Sequence, residues 1–165
     1  MNVTLVAQLA SAVAVVVAVI FGTLQIRQMR KTRALFALAE LVRSMQTPEF
    51  TRSVRMVLAL PDRADPSAIR DDNEMATAVF AVSHVFESLG VLVFHRIVHI
   101  NLVDDLMGGY VRVSWMKLAP YVEAQRLEIG GYYGEWMQWL AERLLEHPSE
   151  GKVRGAHVAH RLWRP

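Results

Sequence analysis

Hydrophobic residues along this chain fall into two regimes. From Leu5 to Leu24 they form a nearly unbroken run, LVAQLASAVAVVVAVIFGTL, with no charged residue. Beyond Arg27 they recur at steps of three and four, the spacing of a helix with one buried face. At 1.5 Å rise per residue the first run covers about the 30 Å of a bilayer core, so it predicts a transmembrane helix. No helix breaker follows, and Leu35, Leu38, Val42 and Met45 extend the pattern to Gln46. Thr47-Pro48 predicts a stop, with threonine as the cap and proline as the first position of a second helix. Phe50, Val54, Val57 and Leu58 give that helix its apolar face. Pro61 to Asp72, rich in charge and containing Pro66, predicts a mobile or partner-facing loop.

The clearest seam is Met75, Val79, Val82, Phe86, Leu89 and Val93, within a helix from Glu74 to Phe94. A break is expected from His95 to Asn101. A further helix carries Val103, Leu106, Tyr110 and Val113, Pro120 is expected to start another that ends at Gly130-Gly131, and Trp136, Leu140 and Leu144 mark a last one before Pro148. No segment alternates with period two. The predicted fold is all-α: one N-terminal transmembrane helix continuing into a small cytoplasmic helical bundle. Residues 1–26 form the anchor, 27–147 the cytoplasmic helical domain, and 148–165 a flexible basic tail without a helical apolar face.

Charge sets the orientation. Nothing charged occurs from Met1 to Ile26, whereas Arg27, Arg30, Lys31 and Arg33 follow at once. Basic residues stay on the cytoplasmic side, which predicts a single-pass protein of the inner membrane with its N-terminus outside and its C-terminal domain in the cytoplasm. A cleavable signal peptide would carry its positive charge before the apolar run, not after it. The segment Arg27–Arg55 is +5, Asp62–Glu150 is −7, and the tail returns +4 through Lys152, Arg154, Arg161 and Arg164. An acidic body between basic flanks argues against nucleic acid, and the flanks, Arg27 to Arg33 above all, suit anionic lipid headgroups. The absence of cysteine removes disulfides, thiol catalysis and thiolate metal sites. Within the span, Ala10, Ala14, Ala18 and Gly22 repeat every four residues. Small side chains let helices approach closely in lipid, so this stripe is a candidate packing face for another membrane protein or a second copy.

Candidate chemistry is sparse. His95 and His99 are four apart, with Asp104 and Asp105 following, but a helix break between the histidines and the lack of a glutamate beside the first argue against a metal site. His157 and His160 lie in a tail that does not preorganise ligands. Glu87 sits on the best apolar seam, where an unpaired carboxylate is costly, and Arg126 is its natural partner in a structural ion pair. The sharper alternative places both in a ligand pocket. No nucleophile elbow, phosphate loop or zinc-protease motif occurs. Trp115, Trp136 and Trp139 concentrate aromatic surface in the last third, the kind of residue that anchors protein interfaces.

The stretches HVFESLGVLV (His84 to Val93), NLVDDLMGGYVRVSW (Asn101 to Trp115) and KLAP (Lys117 to Pro120), with Arg126 and WMQWLAERL (Trp136 to Leu144), carry a resemblance. Together they resemble a family of uncharacterised bacterial proteins with one N-terminal span and a helical cytoplasmic domain, classed as a domain of unknown function. Phe86-Glu87, Leu89-Gly90, Trp115, Pro120 and Arg126 are its most specific marks. The resemblance implies a fold and a topology but no activity. Where the family tends to have phenylalanine and glutamate before the final Trp-Leu, this chain has Met137 and Gln138. The expectation is a membrane-anchored, non-enzymatic interaction protein without cofactor or metal, an accessory or scaffold subunit of a membrane complex. The alternative is a membrane-tethered small-ligand sensor or enzyme with a pocket near Glu87 and Arg126.

Overall fold

A computed structural model describes residues 3–146 and 156–164, all of them in helices, turns and connecting segments, with no strand among them. The chain divides into two compact units, Met1–Leu41 and Val42–Pro165. The first consists of most of helix α1, Val3–Met45. Apolar side chains on every side of α1, among them Val15, Val17, Ile20, Phe21 and Leu24, are more than half exposed.

The second unit is an all-α bundle of α2 (Pro48–Ala59), α3 (Pro66–Arg70), α4 (Asn73–Phe94), α5 (Ile100–Ile129) and α6 (Glu135–Glu146), followed by the single turn α7 (Ala156–Ala159). Helices α2 and α6 each pack against both α4 and α5. The seam on α4 is buried as its spacing predicts: Val79, Val82, Phe86 and Leu89 are sealed from solvent, as are Val57 of α2 and Met137, Leu140 and Leu144 of α6, the two helices that pack on α4. Gly90 lets α4 and α6 cross closely, because a Cβ there would stand 2.5 Å from the Trp136 carbonyl oxygen.

Element ends follow local chemistry. The Thr47 hydroxyl accepts from Phe50 N–H at 3.2 Å, with Pro48 in the first turn of α2. Asp72 caps α4 through Glu74 and Met75 N–H. α4 stops at the expected break in a Schellman motif: Ile97 N–H donates to Leu92 O and Arg96 N–H to Val93 O, with Arg96 at φ 56°.

Two expectations are corrected here. Pro120 does not start a helix; it lies inside α5, which runs unbroken from Ile100 to Ile129. Proline leaves the carbonyl four residues earlier without a donor, and Met116 O instead accepts from Arg63 N–H at 3.1 Å, while Lys117 O accepts from Ala64 N–H at 3.0 Å. That same contact overturns the mobile loop. Lys117 Nζ donates to Leu60 O and to Asp62 Oδ1, Ala64 and Ile69 are buried, and Pro66–Arg70 forms α3.

Candidate functional site

Helix α6 follows Gly134, which has no side chain with which to cap it. The first amides of a helix need acceptors from elsewhere. Glu135 N–H finds Tyr132 O at 3.3 Å. Glu87, reaching across from α4, accepts from Met137 N–H through Oε1 at 2.7 Å, and Trp136 N–H also bonds to its carboxylate. Glu87 is thus the N-cap of a helix fifty residues away. Burial pushes its carboxyl above the ordinary value; the two amide bonds pull it down, Glu135 pushes it up, and Arg126 lowers it least.

The expected ion pair is therefore corrected: Glu87 and Arg126 do not meet. Arg126 Nε donates to Tyr133 O at 2.7 Å and Nη1 donates to Gln138 Oε1 at 2.7 Å. Gln138 in turn donates through Nε2 to Glu142 Oε1 at 2.7 Å. The amide at Gln138 offers one acceptor to the arginine and one donor to the acid, a link a carboxylate could not make to both. Glu87 and Arg126 serve one purpose from two sides: each fixes the start of α6, one from α4 and the other from α5.

Beside this joint lies a cavity of about 230 Å³ lined by Phe80, Ser83, His84, Glu87, Tyr132, Tyr133 and Gly134. The Phe80 and His84 rings stack at 6.0 Å. The buried Ser83 hydroxyl has no hydrogen-bond partner. The Tyr133 hydroxyl is pushed up to about 12, mainly by burial and then by Tyr121, so it stays protonated and can donate.

A larger groove of about 440 Å³ opens at the other side of Phe86. The end of α1 supplies Val42 and Met45, α2 supplies Phe50, Val54 and Leu58, and α5 supplies Leu106, Met107 and Tyr110; Arg55 is its charged side chain. Leu106 and Tyr110 are half exposed. The tryptophans divide. Trp136 and Trp139 pack edge to face at 6.1 Å, and the exposed Phe94 lies 4.9 Å and 5.8 Å from them. Trp115 is partly exposed and takes no part in that cluster.

The profile of a domain of unknown function, DUF4760, matches residues 7–144. The chain belongs to the DUF4760 family. No curated protein and no solved structure matches it. In this DUF4760 chain several of the marks that carry the resemblance are joints: Glu87 caps α6, Gly90 admits the α4–α6 crossing, Pro120 leaves the Met116 carbonyl to Arg63, and Arg126 ties α5 to α6.

The residues weighed as metal ligands are placed apart from one another in use. His95 ends α4, while His99 Nδ1 accepts from Asn101 N–H at 3.2 Å as the cap of α5. Asp104, 1% exposed, binds Arg112 Nη1 at 2.7 Å, and that nitrogen also donates to Leu144 O at the end of α6. The spacing of Asp104 and Arg112, eight apart on one helix, gives no hint of this pair. Gly108 between them was the available signal, since a Cβ there would lie 2.0 Å from Asp104 Oδ1. In the N-terminal unit Ala14 and Ala18 are exposed, and a Cβ built on Gly22 would meet nothing within 4 Å beyond its neighbours and its own helical backbone. The side chains of Ala10, Arg27, Arg30, Lys31 and Arg33 lie outside the described residues.

Proposed function

We propose that this DUF4760 chain is a membrane-anchored, non-enzymatic helical interaction protein, an accessory or scaffold subunit of an inner-membrane complex with its bundle in the cytoplasm. The observation that carries the reading is α1. Its segment Ala14–Ile26 is apolar, its described apolar side chains are exposed on all sides, and the sequence before Arg27 holds no charge. A helix apolar all round needs a dense core or lipid about it. Among the described residues α4 is the helix long and apolar enough to cross a bilayer, and the apolar segment Ala14–Ile26 of α1 is shorter, but the α4 seam is spent on the core of the bundle. The groove beside Phe86 and the Phe94–Trp136–Trp139 cluster supply apolar surface on which a protein could dock.

Purification from native membranes in mild detergent, with sizing and mass spectrometry, tests this. A stoichiometric membrane partner or a defined homo-oligomer is expected, weakened by Ala14→Leu or Ala18→Leu. A bare monomer overturns it. The second reading, a small-ligand sensor, is favoured by one observation, the cavity at Glu87 with its unpartnered Ser83 hydroxyl. A metabolite that raises the melting temperature of the wild type but not of Ser83→Val would support it.

A further inference from the structure

The end of the chain holds one helical turn followed by exposed apolar and basic residues. Helix α7 begins at Ala156, and turns continue past it: Arg161 N–H donates to Val158 O at 3.4 Å and Trp163 N–H to His160 O at 2.9 Å. The helix ends at Ala159 and turns follow; were it continued at α-helical pitch, Val158, Ala159, Leu162 and Trp163 would fall at i, i+1, i+4 and i+5, on one side. In the same continued helix His157, His160, Arg161 and Arg164 would fall at i, i+3, i+4 and i+7, on the opposite side. Val158 is 52% exposed, Leu162 91% and Trp163 71%, so the apolar side is open. After Glu150 the sequence contains no acid, only Lys152, Arg154, Arg161 and Arg164.

We propose that residues 156–164 form an interfacial helix on an anionic lipid surface, with Val158, Leu162 and Trp163 in the headgroup boundary and Arg161 and Arg164 on lipid phosphates. Charge and apolar exposure together favour lipid as the occupant. The apolar groove of the bundle carries Arg55 and no carboxylate, so it offers a basic segment nothing to pair with. A lipid surface supplies both the negative charge and the apolar boundary that tryptophan prefers. So short a helix is marginal in water, and binding to the surface is what completes it. The proposal rests on the membrane-anchored reading for the nearness of a bilayer, but its chemistry stands without the anchor.

The test uses the full chain reconstituted in vesicles of lipid brominated on the acyl chains, either pure phosphatidylcholine or a mixture with phosphatidylglycerol. Tryptophan emission of the wild type minus that of Trp163→Phe isolates Trp163 from the other three tryptophans. Quenching of that difference is expected with phosphatidylglycerol and much less without it. Each arginine contributes about a five-fold preference for the anionic surface, so Arg161→Ala with Arg164→Ala lowers the bound-to-free ratio roughly twenty-fold or more. Quenching that is absent with phosphatidylglycerol, or equal in the two lipids, overturns the proposal. Alkaline extraction of the same vesicles judges the anchor separately. If the chain washes off, the anchor reading fails, and flotation of wild type against Leu162→Asp with phosphatidylglycerol vesicles before the wash decides the tail: equal flotation sinks it.

Discussion

Replacing Glu87 tests the joint on which α6 depends. Glu87→Ala leaves Trp136 and Met137 N–H without their acceptor. Loss of an N-cap costs about 1 kcal/mol, and up to about 2 where the amides are shielded from water, which lowers the melting temperature by about 4 °C per kcal/mol for a unit of this size. Glu87→Gln keeps an acceptor and removes only the charge, so it should cost less. The two variants also differ with pH. Because burial raises the Glu87 carboxyl above its ordinary 4.5, the folded state holds the proton longer than the unfolded one. The stability this group contributes is then fully present below 4.5 and is lost as pH rises through the folded value. Above that window the ionised carboxylate remains the better acceptor but bears its desolvation cost. The assay is urea unfolding of the full chain in mild detergent, followed by tryptophan emission from about pH 4 to pH 8. Wild type should lose stability relative to Glu87→Gln on going up through the window. A wild type that gains stability there would mean that the start of α6 outweighs burial, and the reasoning would be refuted.

Three further substitutions examine other joints by the same unfolding assay. Asp104→Ala leaves Arg112 charged and poorly paired against the end of α6, and breaking a buried pair of this kind should cost about 3–5 kcal/mol; a loss under 1 would show that the pair is not buried in solution. Gly90→Ala puts a methyl group against the Trp136 carbonyl and should destabilise by about 1–3 kcal/mol, where an ordinary helical glycine would gain from the change. Arg96→Gly relieves a left-handed residue at the end of α4 and should stabilise by about 1 kcal/mol; no gain would indicate that the arginine side chain makes good the strain.

What the sequence made legible was local. The Thr47-Pro48 boundary, the seam of α4 and the break between Phe94 and Ile100 each depend on a few adjacent residues, and each stands where the pattern put it. Pro120 reads as a helix start because the donor that lets it sit inside α5, Arg63 N–H, comes from far back in the chain. The Pro61–Asp72 segment was misread for the complementary reason: charge and proline describe its own solubility, not the two carbonyls on α5 that hold it. Glu87 stands out in the sequence because an unpaired carboxylate on the α4 seam would be costly, and Arg126 as the cation to pair with it. Their partners were not legible, because main-chain amides and carbonyls leave no mark in a sequence, and the neighbouring charge of opposite sign did.

The position of these joints bears on how the two functional readings can be separated. Glu87, Arg126, Asp104 and Lys117 are engaged in holding α6 and the Leu60–Ala64 segment against α4 and α5. A substitution at any of them alters both stability and whatever surface the bundle presents, so it cannot distinguish a docking face from a ligand pocket. Leu106 and Tyr110 are different: half exposed on the rim of the larger groove, they hold no helix in place. Leu106→Ser and Tyr110→Ser should therefore leave the urea midpoint almost unchanged. If docking occurs in the groove, the same changes release the partner from the detergent-purified assembly. If the assembly survives them while Ala18→Leu disrupts it, association belongs to α1 and the bundle is free to serve the Glu87 cavity.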